Sequence, residues 1–66
     1  MLIGEKIRQE RTYKKLSQKQ LAEKVGMSEP AIRNYELGNR TPSQKQIELI
    51  ANALEVSPFT LSDPDL

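Results

Sequence analysis

Arg33 and Asn34 are neighbours in the run EPAIRNYEL, with Glu29 and Pro30 just before them. A guanidinium makes two parallel hydrogen bonds as a donor, whereas a carboxamide makes two as donor and acceptor together. Glu29 adds a carboxylate acceptor and Pro30 an apolar ring. A set like this recognises a surface by its hydrogen-bond pattern and breaks no bond. The chain has no cysteine and no histidine. That removes disulfides, thiolate or imidazole metal sites and histidine-based proton transfer. No nucleophile–base pair or metal-ligand set stands in their place, so the sequence reads as no enzyme, with no metal and no cofactor.

Charge narrows the partner. The 66 residues carry a formal net charge of +1, unevenly spread. Residues 11–45 hold eight basic groups against three acids, and residues 46–66 hold four acids and no base. A molecule polarised in this way presents one face to a polyanion and turns the other from it. By itself the asymmetry is better explained by ordinary surface solvation. The start, MLIGEKIRQE, is charged too early for a signal peptide, and no apolar run approaches the roughly 20 residues of a membrane span. A soluble cytoplasmic protein is expected, one domain over residues 1–66 with residues 62–66 a frayed tail.

The elements that must position these groups are helices. Apolar residues recur at helical intervals: Ile3 and Ile7; Leu21, Ala22 and Val25; Ile32 and Tyr35; Ile47, Ile50, Ala51 and Leu54. The first helix is expected from Leu2 to about Lys14. Ser17-x-x-Gln20 and Ser43-x-x-Gln46 match capping boxes, so helices should begin near Gln18 and Gln44. Gly26 and Gly38 stand where two helices must stop. Ser28 caps a helix running from Glu29 to Leu37, with Pro30 in its first turn, where a missing N–H is no loss. Ser57-Pro58 opens a fifth short helix, and Leu61 closes the core. Ala22, one turn before Gly26, is small enough for the next helix to cross closely. At about 100° per residue, Ile32 and Tyr35 define the buried side of the third helix. Pro30, Arg33, Asn34 and Leu37 then lie on the opposite side, with Glu29 at the N-terminal tip.

Small residue, glycine turn, capping serine and apolar pair at these intervals make a helix-turn-helix. The chain resembles the Cro and lambda-repressor-like (XRE) family of DNA-binding regulators. The likeness rests on LSQKQLAEKVGMS at Leu16–Ser28, Ile32, Tyr35-Glu36-x-Gly38, Thr41-Pro42-Ser43 and Ile50-Ala51-x-Ala53-Leu54-x-Val56-Ser57. It runs from about Ile3 to Leu61. It implies an all-α, compact five-helix fold that binds double-stranded DNA and regulates transcription. The binder would be a twofold homodimer on a near-palindromic operator, as a repressor. Two alternatives share the fold: the antitoxin of a toxin–antitoxin pair, and a protein–protein adaptor.

The resemblance also assigns residues. Glu29, Pro30, Arg33 and Asn34 fall at the family's base-reading positions. Their chemistry suits cytosine N4, a thymine methyl, guanine O6/N7 and adenine N6/N7 respectively. Glu29 and Arg33 could instead pair with each other at i, i+4 and serve only the helix. Ser17, Gln18 and Lys19 at one helix start, and Asn39, Arg40, Ser43 and Lys45 at another, are expected on phosphates. Arg40 reaches either a phosphate or the minor groove. Arg11 and Glu36 match a family arginine and glutamate and are expected to form a structural ion pair. Family members often have glycine where this chain has Lys15. Either Lys15 adopts that left-handed conformation, or the first helix ends differently. Leu49, Pro58 and Phe59 are expected at a dimer interface, with the alternative that Phe59 folds back over Leu61.

Overall fold

A computed structural model describes residues 3–62. Leu2, expected to open the first helix, and residues 63–66 of the expected tail lie outside the described residues. Ser62 ends a helix. Five helices follow one another: α1 (Ile3–Tyr13), α2 (Gln18–Val25), α3 (Glu29–Leu37), α4 (Gln44–Leu54) and α5 (Pro58–Ser62). Among the described residues all regular structure is helical.

Each start has its cap. The Ser17 and Ser43 hydroxyls accept from the N–H groups of Gln20 and Gln46, while those glutamine side chains accept from the serine N–H groups. Both capping boxes are therefore reciprocal. Ser28 Oγ accepts from the Ala31 N–H at 3.2 Å. The first four helices end alike, with one left-handed residue: Lys15 (φ 60°), Gly26 (72°), Gly38 (83°) and Glu55 (61°). The next N–H reaches back five residues, from Leu16 to Arg11, Met27 to Ala22, Asn39 to Asn34 and Val56 to Ala51. This is the Schellman closure, which satisfies carbonyls that a helix end would leave orphaned. Lys15 thus takes the strained conformation. Glu55 does too, with nothing in its residue type to announce it.

The core gathers Ile7, Leu21, Ala22, Ile32, Tyr35, Ile47, Ile50, Ala51, Leu54 and Leu61. Leu16, Met27 and Val56, the residues just past three of the left-handed ends, pack against it. These contacts hold the helix ends as well as the core. α3 is packed between α1 and α2, and α4 bears on α2, α5 and α1. Gly4 explains how α1 comes so near. A Cβ there would collide with the Tyr35 carbonyl oxygen and lie 3.0 Å from that of Glu36.

Candidate nucleic-acid interface

α3 has one buried and one open side. Ile32 and Tyr35 are buried, whereas Glu29, Pro30, Arg33 and Leu37 are exposed and Asn34 is half-buried. The ion pairs among the described residues join Arg11 to Glu36 and Lys14 to Glu55, and none joins Glu29 to Arg33. Glu29 and Arg33 are therefore left for an outside partner. Asn34 has a neighbour: its Oδ1 accepts from Asn39 Nδ2 at 3.4 Å. With nine residues and 1.5 Å of rise per residue, α3 is about 13 Å long. That length lies readily in a major groove about 12 Å wide.

The start of α2 is moored to the end of α3. Arg11 Nε donates to Glu36 Oε2 at 2.6 Å and Arg11 Nη2 to Glu36 Oε1 at 3.1 Å. Arg11 Nη1 donates to the Leu16 carbonyl at 2.7 Å. Gln18 Nε2 donates to Glu36 Oε1 at 3.0 Å. The two charged side chains are only 14% and 3% exposed. One carboxylate from α3 thus holds a guanidinium from α1 and the first residue of α2. A forked pair of this kind fixes direction as well as distance. The part of Gln18 turned to Glu36 is one amide N–H. Its oxygen and second N–H stay available.

Gln18 being bonded to Glu36, the α2 start sits beside the α3 end. Only six residues, Gly38 to Ser43, separate that end from the α4 start. The α2 start therefore lies beside the end of α3, and the α4 start follows that end in the chain. In each, the first N–H groups have no intrahelical acceptor and carry the positive end of the helix dipole. Lys19, Arg40 and Lys45 are exposed around them, as are Ser17, Asn39 and Ser43. The two serine hydroxyls accept within their caps, which leaves each O–H free to donate outward. Such starts are ready-made seats for phosphate oxygens. Pro42, in the connecting turn, is buried. The N–H groups of Asn39 and Arg40 both reach back to the Asn34 carbonyl, at 3.0 and 3.3 Å.

On α4 and α5, Leu49 is 43% and Phe59 77% exposed. Phe59 therefore does not fold over Leu61, which is itself buried. Beside them a shallow groove of about 430 Å³ is lined by Lys45, Glu48, Leu49, Asn52, Val56 and Pro58. The sequence reading named Gln18 and Glu36 separately and missed their bond. It also missed Gly4, although a glycine within a helical pattern costs about 1 kcal/mol against alanine and so points to a packing constraint.

The helices and their open face define a helix-turn-helix domain: α2, a turn at Gly26, and α3 with one side presented to solvent. The chain belongs to the XRE-type Helix-turn-helix family, whose model matches residues 7–61. It is similar to YqaE of Bacillus subtilis, an uncharacterized HTH-type transcriptional regulator. The two are 41% identical over 56 residues, 85% of this chain and 48% of YqaE. It is likewise 41% identical over 54 residues to Multiprotein-bridging factor 1 of Candida albicans, covering 82% of this chain and 36% of that one. The chain thus spans half or less of these relatives. The P22 c2 repressor protein in complex with a synthetic operator has the same fold over 98% of both chains. Its TM-score is 0.90 and its identity 34%. No described helix is long and apolar enough to cross a membrane.

Proposed function

We propose that this chain binds duplex DNA sequence-specifically, as a twofold dimer on a near-palindromic operator, and represses transcription by occupying that site. The observation that carries the reading is the outer side of α3. Pro30, Arg33 and Asn34 share it, with no ion pair on Arg33 among the described residues, and the capped starts of α2 and α4 carry exposed Lys19 and Lys45. α3 lies in the major groove, with Arg33 on a guanine, Asn34 on an adenine, Glu29 on a cytosine and Pro30 against a thymine methyl. Ser17, Gln18, Lys19, Asn39, Arg40, Ser43 and Lys45 grip phosphates and set the register. The likeness to a repressor solved on its operator supports this arrangement. Leu49, Pro58 and Phe59 join the two copies. In a twofold interface each protomer's Phe59 meets the partner's α4–α5 groove, and the same patch serves both copies.

Selection of bound sites from random duplexes, with the parent chain and with Asn34→Ala, tests the reading. The parent should return a site with two related half-sites. Asn34→Ala should lose one preferred base pair in each half and keep the others. A variant that weakens every duplex alike shows that α3 does not read bases through this side.

One second reading has an observation in its favour. The likeness to Multiprotein-bridging factor 1 fits a protein–protein adaptor on the same fold. It makes no demand on Lys19 or Lys45, and it is the reading that a failed selection supports.

A further inference from the structure

Resting on α3 as the base-reading helix, we infer that Asn39 is a positioning residue: its side-chain N–H holds Asn34 Oδ1 and fixes which way round the Asn34 carboxamide faces the groove. The bond runs from Asn39 Nδ2 to Asn34 Oδ1 at 3.4 Å. It is set by the backbone, because the Asn39 N–H reaches the Asn34 carbonyl at 3.0 Å in the closure of α3. That closure brings the two side chains within reach of each other. The other three left-handed ends place Leu16, Met27 and Val56 at the corresponding position, each packed on the core. Only α3 among these four has an amide there, exposed and lying over a half-buried amide.

A long bond between neutral, solvent-facing groups adds little to folding. Its consequence is orientation. A carboxamide reads a base edge with one acceptor and one donor, and a half-turn about χ2 exchanges them. Adenine offers a donor at N6 beside an acceptor at N7 in a fixed order. With Asn39 donating to Oδ1, the oxygen is held toward the end of α3 and the N–H₂ group is turned from it. Oδ1 keeps a second lone pair and Nδ2 its two hydrogens, so a two-bond contact in that order remains open. A carboxamide free to turn meets the same edge both ways and discriminates less.

Titration of duplexes carrying each of the four base pairs at the position Asn34 reads decides the matter. Asn34→Ala locates that position. Asn39→Ala should reduce the preference there by about threefold to tenfold, part of what one good two-bond contact supplies. Preferences elsewhere, the salt dependence and the melting temperature should not change. Asn39→Asp puts an acceptor where the donor was, which turns the Asn34 N–H₂ toward it and should change the preferred base pair. Its added negative charge weakens all four duplexes alike, so the ranking among them is the readout. If Asn39→Ala weakens all four equally, Asn39 serves its phosphate contact alone and the inference is wrong. It is equally wrong if Asn39→Ala leaves all four unaltered. Should Asn34→Ala keep every preference, base reading by Asn34 itself fails and this inference with it.

Discussion

Glu36 accepts from Arg11 twice and from Gln18 once, on a side chain only 3% exposed. Removing one member of such a pair leaves the other charge buried without compensation, which costs about 3–5 kcal/mol. Arg11→Ala also removes the donor to the Leu16 carbonyl, just past the end of α1. A chain of this size has about 3–10 kcal/mol of stability altogether. Arg11→Ala should therefore be largely unfolded or lose tens of degrees in thermal melting followed by circular dichroism. A melting temperature within a degree or two of the parent means that the pair contributes nothing. Gly4 gives a prediction of opposite sign to helix propensity. Alanine normally gains about 1 kcal/mol over glycine inside a helix. Here its Cβ would meet backbone carbonyls of α3, which cannot swing aside. Overpacking of that kind costs about 1–3 kcal/mol, so Gly4→Ala should lower the urea midpoint. A raised midpoint would mean that α1 and α3 separate easily.

At the scale of elements, the helices were legible because their ends carry signals independent of the apolar stripes. Ser17 with Gln20 and Ser43 with Gln46 mark two starts, Ser28 a third, and Gly26 and Gly38 two stops. What stayed hidden depends on contacts between elements. Glu36 read as an α3 residue at the edge of the buried side, and its hold on Gln18 requires the α2 start to lie beside the α3 end. Glu55 is hidden for another reason. Its left-handed turn is imposed by Val56 packing on the core, one residue later. The strain at Lys15 and Glu55 can be relieved. A left-handed non-glycine residue costs about 1–2 kcal/mol, and glycine returns about 0.4–1 kcal/mol of that through the freer unfolded chain. Lys15→Gly and Glu55→Gly should each stabilise by about 0.5–1 kcal/mol in urea denaturation. Glu55→Gly gives up its 3.4 Å pair with Lys14, an exposed contact worth little. Gly26→Ala is the control and should destabilise. If both glycine variants lose stability, these ends relax without strain and the closure adds nothing.

For the whole molecule, the proposed function assigns gripping to the basic middle of the chain and association to the exposed apolar residues of α4 and α5. Lys19 belongs to the first and Phe59 to the second, and their substitutions should leave different signatures in salt. Each lysine–phosphate contact releases counterions, which makes log K fall with log salt by about 0.9 per contact. A dimer on two half-sites carries every substitution twice. Lys19→Ala should thus lower the slope by about 2 on the full site and about 1 on an isolated half-site. Lys45 is the poorer probe, since it also lines the groove beside Pro58. Phe59→Ser removes an exposed ring that makes no part of the core, so folding should be kept. Half-site affinity and its slope should stay those of the parent, while cooperativity between half-sites disappears. The patch is small, so self-association without DNA is expected to be weak, and the measurement belongs on the two-half-site duplex. Combining both substitutions separates the two roles: the half-site slope should fall by about 1, as for Lys19→Ala alone, with cooperativity gone. If Phe59→Ser still binds the full site cooperatively, the copies meet through another surface, and the exposed ring beside the α4–α5 groove serves some other contact.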